Sequence, residues 1–75
     1  MKTTKIRLTS IEAVRDFVEV VRQFDGDIDL SSGRYVVDAK SIMGIFSLDL
    51  SKPIKVEIFA DECEQLLKEL EQFMV

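Results

Sequence analysis

Ser41 is the residue of this sequence best placed to do chemistry, and that chemistry is acceptance of a phosphoryl group. It belongs to a short segment, Ala39–Leu48, that combines this hydroxyl with a glycine and several large apolar side chains. A serine before a helix caps a free backbone N–H of the first turn, which leaves its hydroxyl at the positive end of the helix. The aligned N–H groups there favour an added phosphate. Ser41 is therefore either a phosphorylation site or only a helix cap.

The apolar residues after Ser41 point to a protein interface. A helix of a small domain normally keeps its apolar side chains on one stripe facing the core, whereas Ile42, Met43, Ile45 and Phe46 go most of the way round. Some of them should therefore face water, and an exposed apolar patch often marks a binding surface. The alternative is that the patch is core or a contact between copies of the chain.

The sequence lacks most of the residue types that catalysis and metal binding commonly use. The chain has no histidine, and Cys63 is its one cysteine. Histidine is the commonest general base and metal ligand, so neither a serine nor a cysteine triad can be assembled. Aspartates at 25, 27 and 29 lack the glycine and the closing glutamate of a calcium loop. We expect no enzymatic activity, no metal and no cofactor, and Cys63 as a small core residue.

The net charge and the hydropathy pattern indicate which kinds of partner and which cellular compartment to expect. The formal net charge of the 75 residues is −4, which argues against binding to nucleic acid or to an anionic membrane surface. No apolar run is long enough to span a bilayer, and the first residues alternate instead of forming a signal-peptide core. We expect a cytoplasmic protein.

Alternation of apolar and polar residues predicts four strands that would position the serine segment. The first covers Thr4–Leu8, and the last covers Ile54–Ile58, which follows a helix-breaking Pro53. Between them, the runs at 27–30 and 35–37 are joined by a polar, glycine-containing connection typical of a hairpin.

The first long helix is predicted from about Ser10 to Phe24. Thr9 and Glu12 fit a capping box, and Gly26 would supply a left-handed residue after the helix. The predicted core stripe consists of Ile11, Val14, Phe17, Val18, Val21 and Phe24. Charges of alternating sign on the other face predict weak ion pairs among Glu12, Arg15, Glu19 and Arg22.

The last helix is predicted to begin at Asp61, with Glu64 completing a second capping box. Its apolar stripe consists of Cys63, Leu66, Leu67, Leu70, Phe73 and Met74. The element order is β-α-β-β-α-β-α, an α+β pattern in which helices cover one face of a small antiparallel sheet. The other face should be open to water, lined by Lys5, Arg7, Asp27, Asp29, Lys55 and Glu57.

Val37–Leu48 closely resembles the regulatory-serine segment of the HPr family, the small phosphocarriers of the bacterial sugar phosphotransferase system. The resemblance implies an HPr-like open-faced β-sandwich, a four-stranded antiparallel sheet with three helices on one face, and the element order read from the residues agrees. We expect residues 1–75 to form one HPr-like domain.

The resemblance implies two sites, of which this sequence retains the first and lacks the key residue of the second. Ser41 matches the serine that an HPr kinase/phosphorylase modifies in some family members, and the partner-binding surface would comprise Lys40, Ile42, Met43, Gly44 and Phe46. Ser10 stands where the family has its carrier histidine, and Glu12 stands where an arginine normally helps to hold phosphate. A serine phosphate ester is too stable to pass its group onward, so carrier activity should be absent.

The function expected from these residues is regulatory, within the phosphotransferase system and carbon catabolite control. Phosphorylation of Ser41 would switch docking to protein partners, among them a catabolite-control transcription factor. Two alternatives stay open: an HPr-like interaction or oligomerisation module that is not phosphorylated, and a residual phosphocarrier that uses Ser10.

Overall fold

The computed structural model describes all 75 residues, Met1–Val75. Its elements are β1 (Lys2–Ile6), α1 (Ile11–Arg22), β2 (Asp27–Ser32), β3 (Tyr35–Asp38), α2 (Ile42–Phe46), β4 (Ile54–Phe59) and α3 (Glu64–Leu70), and a 3-10 turn at Glu71–Phe73 follows α3. This order confirms the predicted β-α-β-β-α-β-α pattern. None of the helices has the length and apolar character that crossing a bilayer requires.

The four strands form one antiparallel sheet in the order β1-β4-β2-β3. β2 lies inside the sheet, so Leu30 is opposite Val56 on one side and Val37 on the other. The β2–β3 hairpin turns through two residues, and Gly33 adopts a φ of 61°, which a side chain would disfavour. The predicted four-stranded antiparallel sheet, with three helices on one face, is confirmed.

The core lies between the inner sheet face and the three helices. It contains apolar side chains only, with no buried polar residue. The aromatic rings of Phe17 on α1 and Phe73 after α3 meet edge to face, with centroids 5.6 Å apart and an interplanar angle of 83°. Cys63 is buried among these residues, as predicted.

The outer sheet face carries five of the six predicted charged residues, in alternation with the core positions; the sixth, Arg7, follows the end of β1. Lys5, Asp27 and Lys55 are exposed, whereas Asp29 and Glu57 are half-buried by their neighbours. This outer face is not wholly polar, because Val36 and Phe59 also lie on it, 61% and 47% exposed.

The predicted start of the first helix is wrong by one residue. Ser10 is the N-cap of α1, and its Oγ accepts a hydrogen bond from the Ala13 N–H at 3.0 Å. Thr9 therefore does not cap the helix. Ile11 is the first residue of α1, and it is 63% exposed instead of contributing to the predicted core stripe.

Three further predictions about helix ends and faces are wrong. Gly26 has no positive φ, because α1 ends at Arg22 and closes with 3-10 bonds from Gln23 and Phe24 to Val20 and Val21. The ion pairs predicted on α1 are not formed, since the two ion pairs of the chain are Lys52–Asp49 and Lys55–Glu57. The N-cap of α3 is Cys63, which offers no side-chain cap, instead of Asp61.

Candidate functional site

A tight turn after β3 places Ser41 at the start of α2. The Asp38 carboxylate accepts a hydrogen bond from the Lys40 N–H at 2.9 Å, and the Asp38 carbonyl accepts one from the Ser41 N–H at 3.0 Å. The Lys40 ammonium donates to the Phe24 carbonyl at 2.8 Å and is partly buried there. The turn is thereby fixed to the α1–β2 connection as well as to the sheet.

Ser41 is the N-cap of α2, as the sequence predicts. Its Oγ accepts a hydrogen bond from the Gly44 N–H at 3.2 Å, and its backbone is extended, with φ −98° and ψ 104°. The residue is exposed. The hydroxyl is therefore both a structural cap and a group that a modifying enzyme can reach.

The inner side of α2 is fixed by packing. Ile45 is fully buried, and Ile42 is half-buried against the core. A Cβ placed on Gly44 would lie 3.1 Å from the Val37 Cβ and 3.3 Å from the Ser41 Oγ. A side chain at Gly44 would therefore push Val37 and Ser41 back by a few tenths of an ångström, because α2 lies close to β3 at this point.

The outer side of α2 presents an apolar patch formed by Met43 and Phe46. Met43 is 80% exposed and Phe46 is 43% exposed. Residues three apart on a helix are neighbours on its surface, so the two side chains form one continuous patch beside the Ser41 cap. Of the five predicted partner-binding residues, these two carry the exposed apolar surface, whereas Lys40, Ile42 and Gly44 are half-buried.

Ser10 lies on the same side of the molecule as the end of α2. A cleft of about 630 Å³ is lined by Ser10 and Phe46, together with Arg7, Leu8, Thr9, Ile11, Leu50 and Ser51. The sequence did not identify Ile11 or Leu50 as site residues. The signal that could have placed Ile11 here is its position directly after Ser10, at the very start of the first helix.

One carboxyl group beside the cleft has a perturbed acidity. The Asp49 carboxylate accepts hydrogen bonds from the Ser51 hydroxyl at 2.6 Å and from the Ser51 N–H at 3.1 Å. These bonds, with a smaller contribution from the Lys52 ammonium, lower the pKa of Asp49 below its ordinary value. No group of three or more His, Cys, Asp or Glu side chains is arranged to hold a metal ion.

The sheet order and the three helices on one face define a small α+β domain with an open-faced antiparallel sheet. A family model described as "PTS HPr component phosphorylation site" matches residues 11–75. The chain therefore belongs to the HPr family of the phosphotransferase system. The family consists of carrier proteins without catalytic activity that work with protein partners, which confirms the prediction that the chain is not an enzyme.

Solved structures of HPr proteins share the fold. The crystal structure of HPr-C-His from Thermoanaerobacter tengcongensis is 29% identical, with a TM-score of 0.81, and the alignment covers 96% of this chain and 89% of that one. The phosphocarrier protein HPr from Bacillus anthracis str. Ames is 24% identical, with a TM-score of 0.71 and coverage of 99% and 96%. The second similarity concerns the fold alone.

Proposed function

We propose that residues 1–75 act as a single HPr-like regulatory domain that is switched by phosphorylation of Ser41. The observation that carries this proposal is the exposed Ser41 hydroxyl, 3.2 Å from the Gly44 N–H at the start of α2. The residues around it match the regulatory-serine segment of the family over Val37–Leu48. The modifying enzyme would be an HPr kinase/phosphorylase.

The partner would dock on Met43 and Phe46, with Ile42, Lys40 and Gly44 supporting the patch from beneath. A phosphate on Ser41 would lie at the edge of this apolar surface and add about two negative charges to it. A partner with an apolar socket and a basic group would then distinguish the two forms. A catabolite-control transcription factor is the candidate from the family resemblance.

The carrier function of the family is not expected in this chain. There is no histidine anywhere in the sequence, and Ser10 occupies the N-cap of α1 at the position where the resemblance places the carrier residue. A serine ester lacks the transfer potential of a phosphorylated imidazole. We infer that the chain in its cytoplasmic setting responds to the phosphotransferase system without relaying its phosphoryl groups.

The test is incubation with an HPr kinase and ATP, followed by mass spectrometry of the intact protein. We expect the mass of one phosphate in the wild type and none in Ser41→Ala. Ser47→Ala is the matched control, because Ser47 lies at the other end of the same helix and its hydroxyl donates to the Gly44 carbonyl. Failure to label the folded wild type, or equal labelling of Ser41→Ala, would contradict the proposal.

Residual carrier activity at Ser10 is the second candidate, supported by its exposure at the rim of the 630 Å³ cleft. Phosphoenolpyruvate and the first enzyme of the system should leave the wild type unlabelled. Ser10→His combined with Glu12→Arg should acquire an acid-labile phosphate, because it supplies the missing imidazole and an anion-binding guanidinium. Label on wild-type Ser10 would favour the carrier role instead.

A further inference from the structure

The two edge strands of the sheet, β1 and β3, differ in whether other residues of the chain pair with their outer side. At the β1 edge, the C-terminal residues cover the last part of the strand: Ile6 forms an antiparallel bridge with Met74, and the Arg7 N–H donates to the Phe73 carbonyl at 2.8 Å. At the opposite edge, β3 pairs with β2 on one side only. An uncovered edge strand is a template for pairing with another strand.

The groups that β3 presents outward can be identified from its register. The Ala39 N–H donates inward to the Ile28 carbonyl at 2.9 Å. Because backbone groups alternate along an antiparallel strand, Tyr35 and Val37 also bond inward, whereas the N–H and C=O of Val36 and the N–H of Asp38 point away from β2.

The side chains of this edge suit a partner strand. Tyr35 is 70% exposed and Val36 is 61% exposed, and β-branched and aromatic residues are those that strands favour. β3 has none of the lysines, prolines or bulges that proteins use to block edge pairing. Its ends carry opposite charges, Arg34 before the strand and Asp38 at its last position.

We propose that β3 pairs with β3 of a second copy of this chain, antiparallel and centred on Val36. In this register the two Val36 residues exchange backbone hydrogen bonds, and Tyr35 of each copy lies opposite Val37 of the other. Arg34 lies opposite Asp38 at both ends, so every charged pair is attractive. The contact is isologous, as a two-fold dimer requires, and it joins two sheets into one.

Other registers are excluded by the same residues. Centring the pair on Val37 would place Val36 opposite Asp38, whose carbonyl already accepts a hydrogen bond from the Ser41 N–H, and it would place Arg34 opposite Lys40, a residue of like charge. Centring it on Asp38 or on Arg34 would place two like charges directly opposite each other. The Val36 register is the one that satisfies both the backbone and the charges.

The experiment uses two complementary single variants of the full chain, Arg34→Asp and Asp38→Arg. Each variant alone would place like charges opposite each other at both ends, so self-association measured by sedimentation velocity should weaken about tenfold relative to wild type. A mixture of the two variants restores an Arg–Asp pair at both ends. We expect the mixture to form heterodimers at least as readily as wild type forms homodimers.

The matched control is Lys2→Asp, a charge reversal on the edge strand β1, which should self-associate like the wild type. Asp38→Arg removes the hydrogen bond to the Lys40 N–H, so circular dichroism should establish that both variants are folded. Arg34 makes no side-chain hydrogen bond or ion pair, and its variant serves as the independent test. A monomeric wild type at all concentrations, or a mixture no more associated than its components, would overturn the proposal.

Discussion

At the scale of single residues, Ser41 caps a helix with the same hydroxyl that the proposed phosphorylation would modify. Its Oγ closes the first turn of a helix only five residues long, Ile42–Phe46, which has little intrinsic stability. A phosphate on the same oxygen would exchange a neutral cap for a charged one, which the helix N-terminus favours. We therefore expect the proposed modification to change the surface charge without unfolding α2.

Ser41→Ala should lower the free energy of unfolding by about 1 kcal/mol, because the Gly44 N–H loses its cap. Ser41→Asp should stay within about 0.5 kcal/mol of wild type, since aspartate is an equally good N-cap. Urea denaturation followed by circular dichroism measures both. Equal losses in the two variants would mean that the hydroxyl does not act as the cap.

Ser51 should control the acidity of Asp49. Ser51→Ala removes the hydroxyl that contributes most to the lowered pKa of Asp49, so that pKa should rise toward its ordinary value. A carboxyl group with a lowered pKa in the folded state stabilises the fold above its unfolded pKa, and this contribution disappears as pH falls through the folded pKa. NMR titration of the Asp49 carboxyl carbon measures the shift. Ser47→Ala should leave it unchanged.

At the scale of the elements, the sequence predicted which segments form helices and strands but not where helices begin. Two candidate caps, Thr9 and Ser10, stand side by side, and the capping-box rule selected Thr9 because Glu12 follows at the right spacing. In the structure Ser10 is the cap. Val14 and Phe17 reach the core, whereas Ile11, the first residue of the helix, does not and lines the cleft instead.

Substitutions in α1 should separate Ile11 from the core. Val14→Ala should cost about 2 kcal/mol, because Val14 is fully buried and its removal leaves a cavity. Ile11→Ala should cost less than about 0.5 kcal/mol, since most of that side chain already faces water. Thermal and urea unfolding give both values. A large loss for Ile11→Ala would indicate that it packs as the sequence first suggested.

The close contact between α2 and β3 should disfavour a branched side chain at position 44. Gly44→Val would force branched atoms against the Val37 Cβ and the Ser41 Oγ, which already limit a single Cβ to 3.1 Å and 3.3 Å. We expect a loss of about 2 kcal/mol in urea unfolding. Met43→Val, at an exposed position of the same helix, is the control and should stay within about 0.5 kcal/mol. Similar losses at both positions would contradict close packing at Gly44.

At the scale of the whole molecule, alternation was enough to predict which sheet face is buried and which is open. It could not predict which strands are neighbours, because the order β1-β4-β2-β3 is set by long-range pairing that no local pattern encodes. That order brings charges together across strands: Asp29 is opposite Asp38 on one side and Glu57 on the other, and Lys5 is opposite Lys55. Such like-charged pairs oppose folding.

Relief of this repulsion should stabilise the fold in a salt-dependent way. Asp29→Asn removes the middle charge of the row Asp38–Asp29–Glu57 and should raise the free energy of unfolding by about 0.5 kcal/mol at low ionic strength. The gain should shrink in high salt, which screens charges near the surface. Asp27→Asn is the matched control, because Asp27 lies on the same strand and face but opposite Phe59. If both variants gain equally, or if salt leaves the gain of Asp29→Asn unchanged, cross-strand repulsion is not its source.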